Sequence, residues 1–324
     1  MKRMAIRHAV WIGVVALALT FLFYRSGFDF DYVVPKRFGR LMAMLIGGVC
    51  VAWSSIVFQT LTGNRILTPA IMGYEAVYLL LQSLLILAMG TKSLVVLGAN
   101  GNFLLSVVLM LGYSWAVHRW LFRRGEDGGG RDGRSNVYFL LLLGLVLTMV
   151  IGTFTQFVQL KVSPGEFSVL LGLSQASFGK AASGQLIVSA VLVVAVCLAG
   201  LKSVPMLDVL SLGREQAVSL GVDYERTVRV HLALVAVLVA VSTALLGPTA
   251  FMGIFVANLA YALTGTFRHR VTLPMGCVVA VGLFLLAQLA VEHVFNYRTT
   301  VGILVNLVCG VWFLMLMVRA RGNA

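Results

Sequence analysis

The chain has 324 residues, of which 60% are apolar and 11% are charged, and its mean hydropathy is +0.95. Soluble globular domains are about 45–50% apolar and about 25% charged, so this composition excludes a soluble domain as the main body. A transmembrane helix needs about 20 apolar residues, and the chain is therefore predicted to be an all-α, polytopic membrane protein with about ten spans. The net charge of +13 rests on too few charged residues for a continuous basic face. It indicates topology and not nucleic-acid binding.

Apolar runs separated by charged or Gly- and Pro-containing breaks predict ten helices. They lie at about 9–24, 41–61, 70–89, 102–118, 137–157, 183–201, 231–246, 250–265, 273–291 and 301–318. The first run follows Lys2, Arg3 and Arg7 and also has features of a signal peptide, but a retained helix is favoured because it gives a consistent topology. The eighth run contains Pro248 and Asn258 and is predicted to be broken or partly buried.

The basic residues predict an orientation. With the amino terminus in the cytoplasm, seventeen lysines and arginines fall in inside segments and eight fall in outside segments. Because inside loops of membrane proteins carry the excess of Lys and Arg, both termini are predicted to be cytoplasmic.

Two inside loops stand out. Residues 123–136 are rich in glycine and charge and are predicted to form a solvated linker. Residues 202–229 form the longest inside loop, where leucines among charged residues give a short amphipathic helical pattern that Gly213 and Gly221 interrupt. From the pattern alone, this segment is either a helix lying on the lipid or a docking surface for a cytoplasmic partner.

The sequence shows no pattern typical of an enzyme's active site. The five histidines lie at span ends without an i, i+4 pair, and the four cysteines lie in separate apolar runs without C-x-x-C spacing. We therefore predict no catalytic residue, metal site or resident cofactor. The stretch from Gly172 to Ala181 departs from a phosphate loop, because six residues separate its glycines and Ala181 replaces the hydroxyl that would hold Mg²⁺. The chain is predicted to have no ATPase activity of its own.

Ionisable residues inside the predicted spans are scarce, and Glu75 lies near the inner end of the third. Because carriers coupled to protons or sodium usually depend on intramembrane charges, this scarcity argues against a secondary transporter. Neutral polar residues in the second and fifth spans are candidates for a translocation path, namely Ser55, Gln59, Thr148, Thr153, Thr155 and Gln156. The Thr and Gln stripe of the fifth span fits a wet pathway and interhelical hydrogen bonds equally well.

Five segments carry a family pattern in a fixed order. They are RFGR (37–40) with the following AMLIGGVCVAWSSIVFQTLTGNRILTPAIMG, LDVLSLGREQAVSLGV (207–222), GPTAFMGIFV (247–256), HRVTLP (269–274) and VGILVNLVCGVWFLML (301–316). Together they resemble the FecCD-type permeases, the membrane subunits of ABC importers for ferric siderophores, haem and vitamin B12. The resemblance covers roughly residues 37–318.

This resemblance implies partners and site residues. A second permease subunit, expected to be a paralogue, would pair with this one around a central path within membrane lipid. Two ATP-binding subunits would dock inside, and a periplasmic or lipid-anchored substrate-binding protein would dock outside. The segment 207–222 would be the coupling segment in the ATPase cleft, with Leu207, Asp208, Leu210, Leu212, Gly213, Arg214, Glu215, Leu220 and Gly221 as its residues. Arg37 and Arg40, with Arg298, would meet acidic residues of the binding protein.

The sequence also departs from the usual family motifs. NRILTP (64–69) replaces Asn-Pro-Leu-Ala-x-Pro, ANLAY (257–261) replaces Pro-His-x-x-Arg, and Arg298-Thr299-Thr300 replaces Glu-Leu-Pro. This variant resembles the subgroup whose permeases come as two unlike chains and import ferric catecholate-type or related siderophores. The last departure leaves the role of Arg298 open.

A short internal echo supports the architecture. Arg37-x-x-Arg40, an apolar span and PAIMG (69–73) are matched by Arg226-x-x-Arg229, an apolar span and PTAFMG (248–253). The two copies lie on opposite faces in the predicted topology, as in an inverted repeat of two five-helix halves. The resemblance to FecCD-type permeases implies that the chain is one permease domain, residues 1–324, that moves a ferric siderophore across the bacterial inner membrane. The alternative is a secondary transporter or channel that works without an ATPase.

Overall fold

A computed structural model describes residues 2–25, 29–126, 133–249 and 251–321. Within these ranges the chain forms fourteen α-helices and no β-strand. In chain order they are α1 (Lys2–Phe23), α2 (Val33–Thr62), α3 (Tyr74–Met89), α4 (Lys92–Val96), α5 (Gly98–Glu126), α6 (Gly133–Gln159), α7 (Pro164–Leu173), α8 (Ser183–Leu201), α9 (Val204–Leu210), α10 (Arg214–Ser219), α11 (Tyr224–Leu246), α12 (Met252–Thr264), α13 (His269–His293) and α14 (Val301–Arg321), and a 3-10 turn (Pro69–Met72) precedes α3.

The predicted spans correspond to helices of the structure. Seven of the described helices are long and apolar enough to cross a membrane, and three shorter apolar helices, α3, α12 and part of α14, complete the ten predicted positions. The short helices α4, α7, α9 and α10 fall between these positions. The middle of the predicted solvated linker, residues 127–132, lies outside the described residues. The prediction of an all-α, multi-pass membrane protein is confirmed.

Helix α2 lies at the centre of the bundle and packs most extensively on α13 and α11. Two adjacent glycines permit this close approach. A Cβ on Gly47 would lie 2.1 Å from Cδ1 of Leu246 in α11, and a Cβ on Gly48 would lie 2.8 Å from Cγ2 of Val281 in α13. Small residues at helix interfaces let backbones approach in membranes, where packing is a main source of helix association.

Two crossings are broken. The eighth, whose continuity the sequence leaves open, is interrupted before α12, because Gly247 has a φ of +97° and α12 has only 13 residues. At 1.5 Å per residue it rises about 20 Å, short of the roughly 30 Å hydrocarbon core. The third crossing is also broken, since the 3-10 turn at Pro69 and a positive φ at Gly73 shorten α3 to 16 residues. The sequence predicted a continuous helix over 70–89, which was wrong at its first turn.

The two breaks occupy equivalent places in the chain. A long buried helix, a Pro-containing break and a short helix follow one another in residues 33–89 and again in residues 224–264. This order agrees with the predicted repeat of two halves.

Candidate functional site

The predicted coupling segment folds as two short helices, α9 and α10, separated at Gly213. Gly213 has a φ of +104° and Gly221 a φ of +81°, a region that glycine enters without a Cβ penalty. The amide N–H of Gly213 donates to the Leu210 carbonyl at 3.0 Å and that of Gly221 to the Val218 carbonyl at 2.9 Å. The predicted interruptions at these two glycines are confirmed.

One side of the segment packs into the bundle and the other side is exposed. Leu207 and Leu210 are 0% and 4% exposed, and Ala217 is fully buried. Leu212 and Leu220 are 58% and 63% exposed. Of the apolar residues predicted to contact a partner, the structure therefore leaves Leu212 and Leu220 accessible and places Leu207 and Leu210 in the core.

Asp208 points toward the spanning helices. Its Oδ1 accepts a hydrogen bond from the backbone N–H of His269 at 2.8 Å and lies 2.6 Å from Nδ1 of the same ring. The other ring nitrogen, Nε2, lies 2.8 Å from Oγ1 of Thr60. Asp208 thus caps the amino-terminal end of α13, where a carboxylate is favoured, and the buried His269 ring connects α9 to the last turn of α2.

A second histidine holds the start of α9. Nδ1 of His231 lies 2.7 Å from the Thr227 carbonyl within α11, and Nε2 lies 3.0 Å from Oγ of Ser203. Polar contacts therefore join Asp208 of the segment to α13, whose His269 ring in turn lies against Thr60 of α2, and they join Ser203, just before α9, to α11.

The remaining predicted residues of the segment lie around α10. Glu215 is exposed in the first turn of α10, and Arg214 is half-buried beside it. Near Leu212 a cavity of about 340 Å³ is lined by Gln59, Thr60, Gly63, Arg65, Ser211, Leu212, Tyr261, Phe267 and His269. The Arg65 guanidinium lies over the Tyr261 ring at 5.1 Å and the Phe267 ring at 4.8 Å, a cation–π arrangement.

The arginines predicted to dock a binding protein have partners within the chain. Arg37 donates to the backbone carbonyls of Phe21 and Tyr24 at 2.8 and 2.7 Å, and its Nη2 lies 3.8 Å from Oε2 of Glu292. Arg40 donates to Oε1 of Glu292 at 3.1 Å. The Glu292 side chain is 4% exposed, and those of Arg37 and Arg40 are 13% and 32% exposed.

Arg298, the third predicted docking residue, differs from this pair. It is exposed and follows Asn296 and Tyr297, whose φ angles are +47° and +60°. This turn brings the chain into α14, and Thr300 donates to Oε1 of Gln175 at 3.4 Å.

The polar residues predicted to line a path do not form one surface. Ser55, Gln59 and Thr155 are buried, Thr148 is half-buried, and Thr153 and Gln156 are exposed on α6. Three of them make hydrogen bonds within the bundle: Thr148 to the Gly144 and Ile71 carbonyls, Thr153 to Met149 and Thr155 to Ile151. Both side-chain polar atoms of Gln59 are buried without a partner among the described residues.

The segment that departs from a phosphate loop forms a turn before α8. The Lys180 ammonium donates to the carbonyl of Gly172 at the carboxyl end of α7, where a cation is favoured. Partial burial lowers the pKa of Lys180. Lys180, Asn102 and Gln185 also line a cavity of about 460 Å³. A backbone carbonyl thus takes the place that a phosphate would have.

Sequence reasoning missed Glu292 and the contact of His269, and it noted Glu75 without giving it a role. Glu292 is a carboxylate within α13, so a search for intramembrane carboxylates would have found it as it found Glu75. His269 was noted within a motif, but its contact with Asp208 depends on the fold.

Comparisons with known proteins agree on one family. The model of the FecCD transport family matches residues 5–319. Petrobactin import system permease protein YclO of Bacillus subtilis (strain 168) is 35% identical, with 98% of each chain covered. Petrobactin import system permease protein FatC of Bacillus anthracis is 32% identical, over 90% of this chain and 80% of the relative.

The fold has a solved counterpart as well. A structure of the metal-chelate ABC transporter type, in an inward-facing conformation, matches with a TM-score of 0.82 at 19% identity, covering 97% of this chain and 99% of the other. At this identity the match supports the helix arrangement alone.

Proposed function

Because this chain belongs to the FecCD transport family, we propose that it is the permease subunit of an ABC importer that carries a ferric siderophore across the bacterial inner membrane. The cargo is inferred from the two relatives named as petrobactin import permeases. In this role the chain provides the path, and a partner chain hydrolyses ATP.

The observation that carries the proposal is the two-sided burial of α9 and α10. Leu207, Leu210 and Ala217 anchor the segment, while Leu212, Val218 and Leu220 are 58%, 55% and 63% exposed. A helix that only rested on lipid would not need the contact of Asp208 with the buried His269 of α13. A fixed segment with exposed leucines beside a cavity is suited to bind a cytoplasmic ATP-binding subunit. At such interfaces a few central apolar residues supply most of the binding energy.

The remaining partners follow from exposed surfaces and from the family. The outer faces of α6 and α14 carry exposed apolar side chains such as Met149, Phe157, Leu307 and Leu314, which suit a second permease subunit and lipid. Each of two ATP-binding subunits would bind the coupling segment of one permease subunit. Both termini would be cytoplasmic, as the distribution of Lys and Arg indicates.

For the binding protein we propose an acidic surface that meets the outer end of α2 and the turn before α14. Arg40 and Arg298 are more accessible than Arg37, which is held by two backbone carbonyls. A rim charge pair of this kind contributes association rate and register more than affinity.

The proposal is tested by deleting the gene and measuring uptake of radioactive iron supplied as a ferric catecholate siderophore. We expect uptake to fall to background and to return with the wild-type gene, while amino-acid uptake stays unchanged. Depleting ATP with arsenate while the membrane potential is preserved should stop the uptake. Uptake that persists without ATP would favour the secondary transporter, and uptake unaffected by the deletion would contradict the proposed cargo.

A further inference from the structure

The two helix breaks meet at a carboxylate. Glu75 is the second residue of α3, and its Oε1 accepts a hydrogen bond from the backbone N–H of Thr249 at 2.8 Å. Thr249 lies in the non-helical stretch before α12. The side chain therefore joins the first break to the second across 174 positions of the chain.

The structure pairs no lysine, arginine or histidine with Glu75 among the residues it describes. A carboxylate in the membrane-embedded part of a protein is costly unless it is paired. The one N–H from Thr249 satisfies part of its hydrogen-bonding capacity and does not add a full positive charge.

Buried hydroxyls surround this carboxylate. Ser55, Thr68 and Thr243 are 2%, 4% and 1% exposed, and all three line the same small cavity as Glu75. Their neighbours Ser54 and Ser242 donate to the Val51 and Val239 carbonyls. Polar groups in the interior of a protein are nearly always hydrogen-bonded to the chain, to water or to a ligand, so three hydroxyls that share a cavity with one carboxylate can bind a species held there.

A small cavity brings these groups together. Glu75, Ser55, Thr68 and Thr243 line the same space of about 20 Å³, which is enough for one water-sized species. Gly253 forms part of its wall, and a Cβ there would lie 2.2 Å from Oγ of Ser55. A larger side chain at Gly253 would therefore fill the space between the Ser55 hydroxyl and α12.

We propose that this cavity binds one dehydrated monovalent cation of sodium size. One carboxylate with neutral hydroxyl oxygens balances a single positive charge, and oxygen is the ligand atom that such hard cations prefer. In sodium-coupled secondary transporters, broken helices at a repeat interface also take part in sodium sites. The cation offsets the Glu75 charge and links α2, α3 and α11 around the break before α12.

The site is tested on the full-length protein in nanodiscs by thermal unfolding in NaCl, KCl and choline chloride at equal ionic strength. We expect a saturable rise of the melting temperature by a few degrees in NaCl over choline chloride, because a ligand of the folded state stabilises it by mass action. Glu75→Gln and Ser55→Ala should each abolish the rise. The control Glu166→Gln removes a carboxylate that only caps α7 and should keep it.

Direct binding of ²²Na⁺ to the wild-type protein tests whether the cavity holds sodium even where a variant fails to fold. We expect close to one ion per chain, displaced by unlabelled Na⁺ and not by choline. Absence of bound ²²Na⁺, or a sodium-dependent rise that survives in Glu75→Gln, would overturn the proposal and assign the cavity to water. Absence of the site leaves the proposed function standing, and ATP depletion in the uptake assay separates a structural sodium ion from one that drives transport.

Discussion

At the scale of single residues, Arg37 and Arg40 stabilise the fold through their contacts with Glu292. Glu292 is almost fully buried and has two arginines beside it, and Gln288 donates to its Oε1 at 2.7 Å. Removing one partner of a buried ion pair leaves an uncompensated charge. The cluster therefore fixes the amino-terminal end of α2 to the carboxyl-terminal end of α13.

Arg37→Met should lower the free energy of unfolding by about 3 kcal/mol, because it frees two carbonyls and weakens the pairing of Glu292. Arg298→Met, at an exposed turn, should change it by less than about 0.5 kcal/mol. Chemical unfolding of both variants in detergent measures the difference. An Arg37→Met protein with wild-type stability but reduced capture of the binding protein would instead assign Arg37 to docking.

Asp208→Ala should destabilise the protein by about 1–3 kcal/mol, because the amino-terminal N–H of α13 and the His269 ring lose their acceptor. Asp208→Asn keeps an oxygen that accepts from the same backbone N–H and should lose less. Thermal unfolding of the two variants side by side provides the measurement. Equal melting of Asp208→Ala and wild type would show that the contact contributes nothing to the fold.

The sequence predicted Arg37, Arg40 and Asp208 as functional residues but not the residues that they contact. Arg40 and Glu292 are 252 positions apart, and Asp208 and His269 are 61 apart. A local pattern carries no information about such pairs, because the packing of α2 and of α9 against α13 brings them together. The family resemblance predicted that Arg37 and Arg40 dock a binding protein. It did not predict their contact with the buried carboxylate of Glu292.

At the scale of helices, close packing of α2 depends on its glycines. Gly48→Leu should cost about 3 kcal/mol, because the added Cβ would lie 2.8 Å from Cγ2 of Val281 and 3.2 Å from its backbone nitrogen, and overpacking forces the backbone apart. The matched control is Gly112→Leu on α5, where a Cβ meets nothing within 4 Å. Yield of monodisperse protein and melting temperature compare the two. Similar values for both variants would contradict the close approach of α2 and α13.

Helix positions were predictable because hydrophobic length alone defines a span. The sequence indicated one of the two helix breaks and not the other. Pro248, following Gly247, signalled the second break, whereas the first break was hidden because AIM (70–72) is apolar and continues the run from Pro69. Only the backbone shows that these residues form a 3-10 turn ending at a positive φ.

At the scale of the whole molecule, α9 and α10 connect the bundle to its surroundings. Asp208 of α9 contacts His269 of α13, whose ring lies against Thr60 of α2, and Ser203 just before α9 contacts His231 of α11. The exposed side of the segment presents Leu212 and Leu220. We expect a partner bound at these leucines to act on α13 through Asp208 and on α2 through His269. The family resemblance predicted this role, while the division of the segment into anchored and free leucines required the fold.

The central claim, that a separate ATPase drives this permease through the segment, is tested most directly by Leu212→Asp. Because Leu212 is exposed, the variant should insert and melt like wild type, yet the ATP-binding subunit should no longer co-purify and iron uptake should fall to background. Val95→Asp, at an 83% exposed position of α4 predicted to lie outside, should retain both. Normal co-purification and transport by Leu212→Asp would contradict the account.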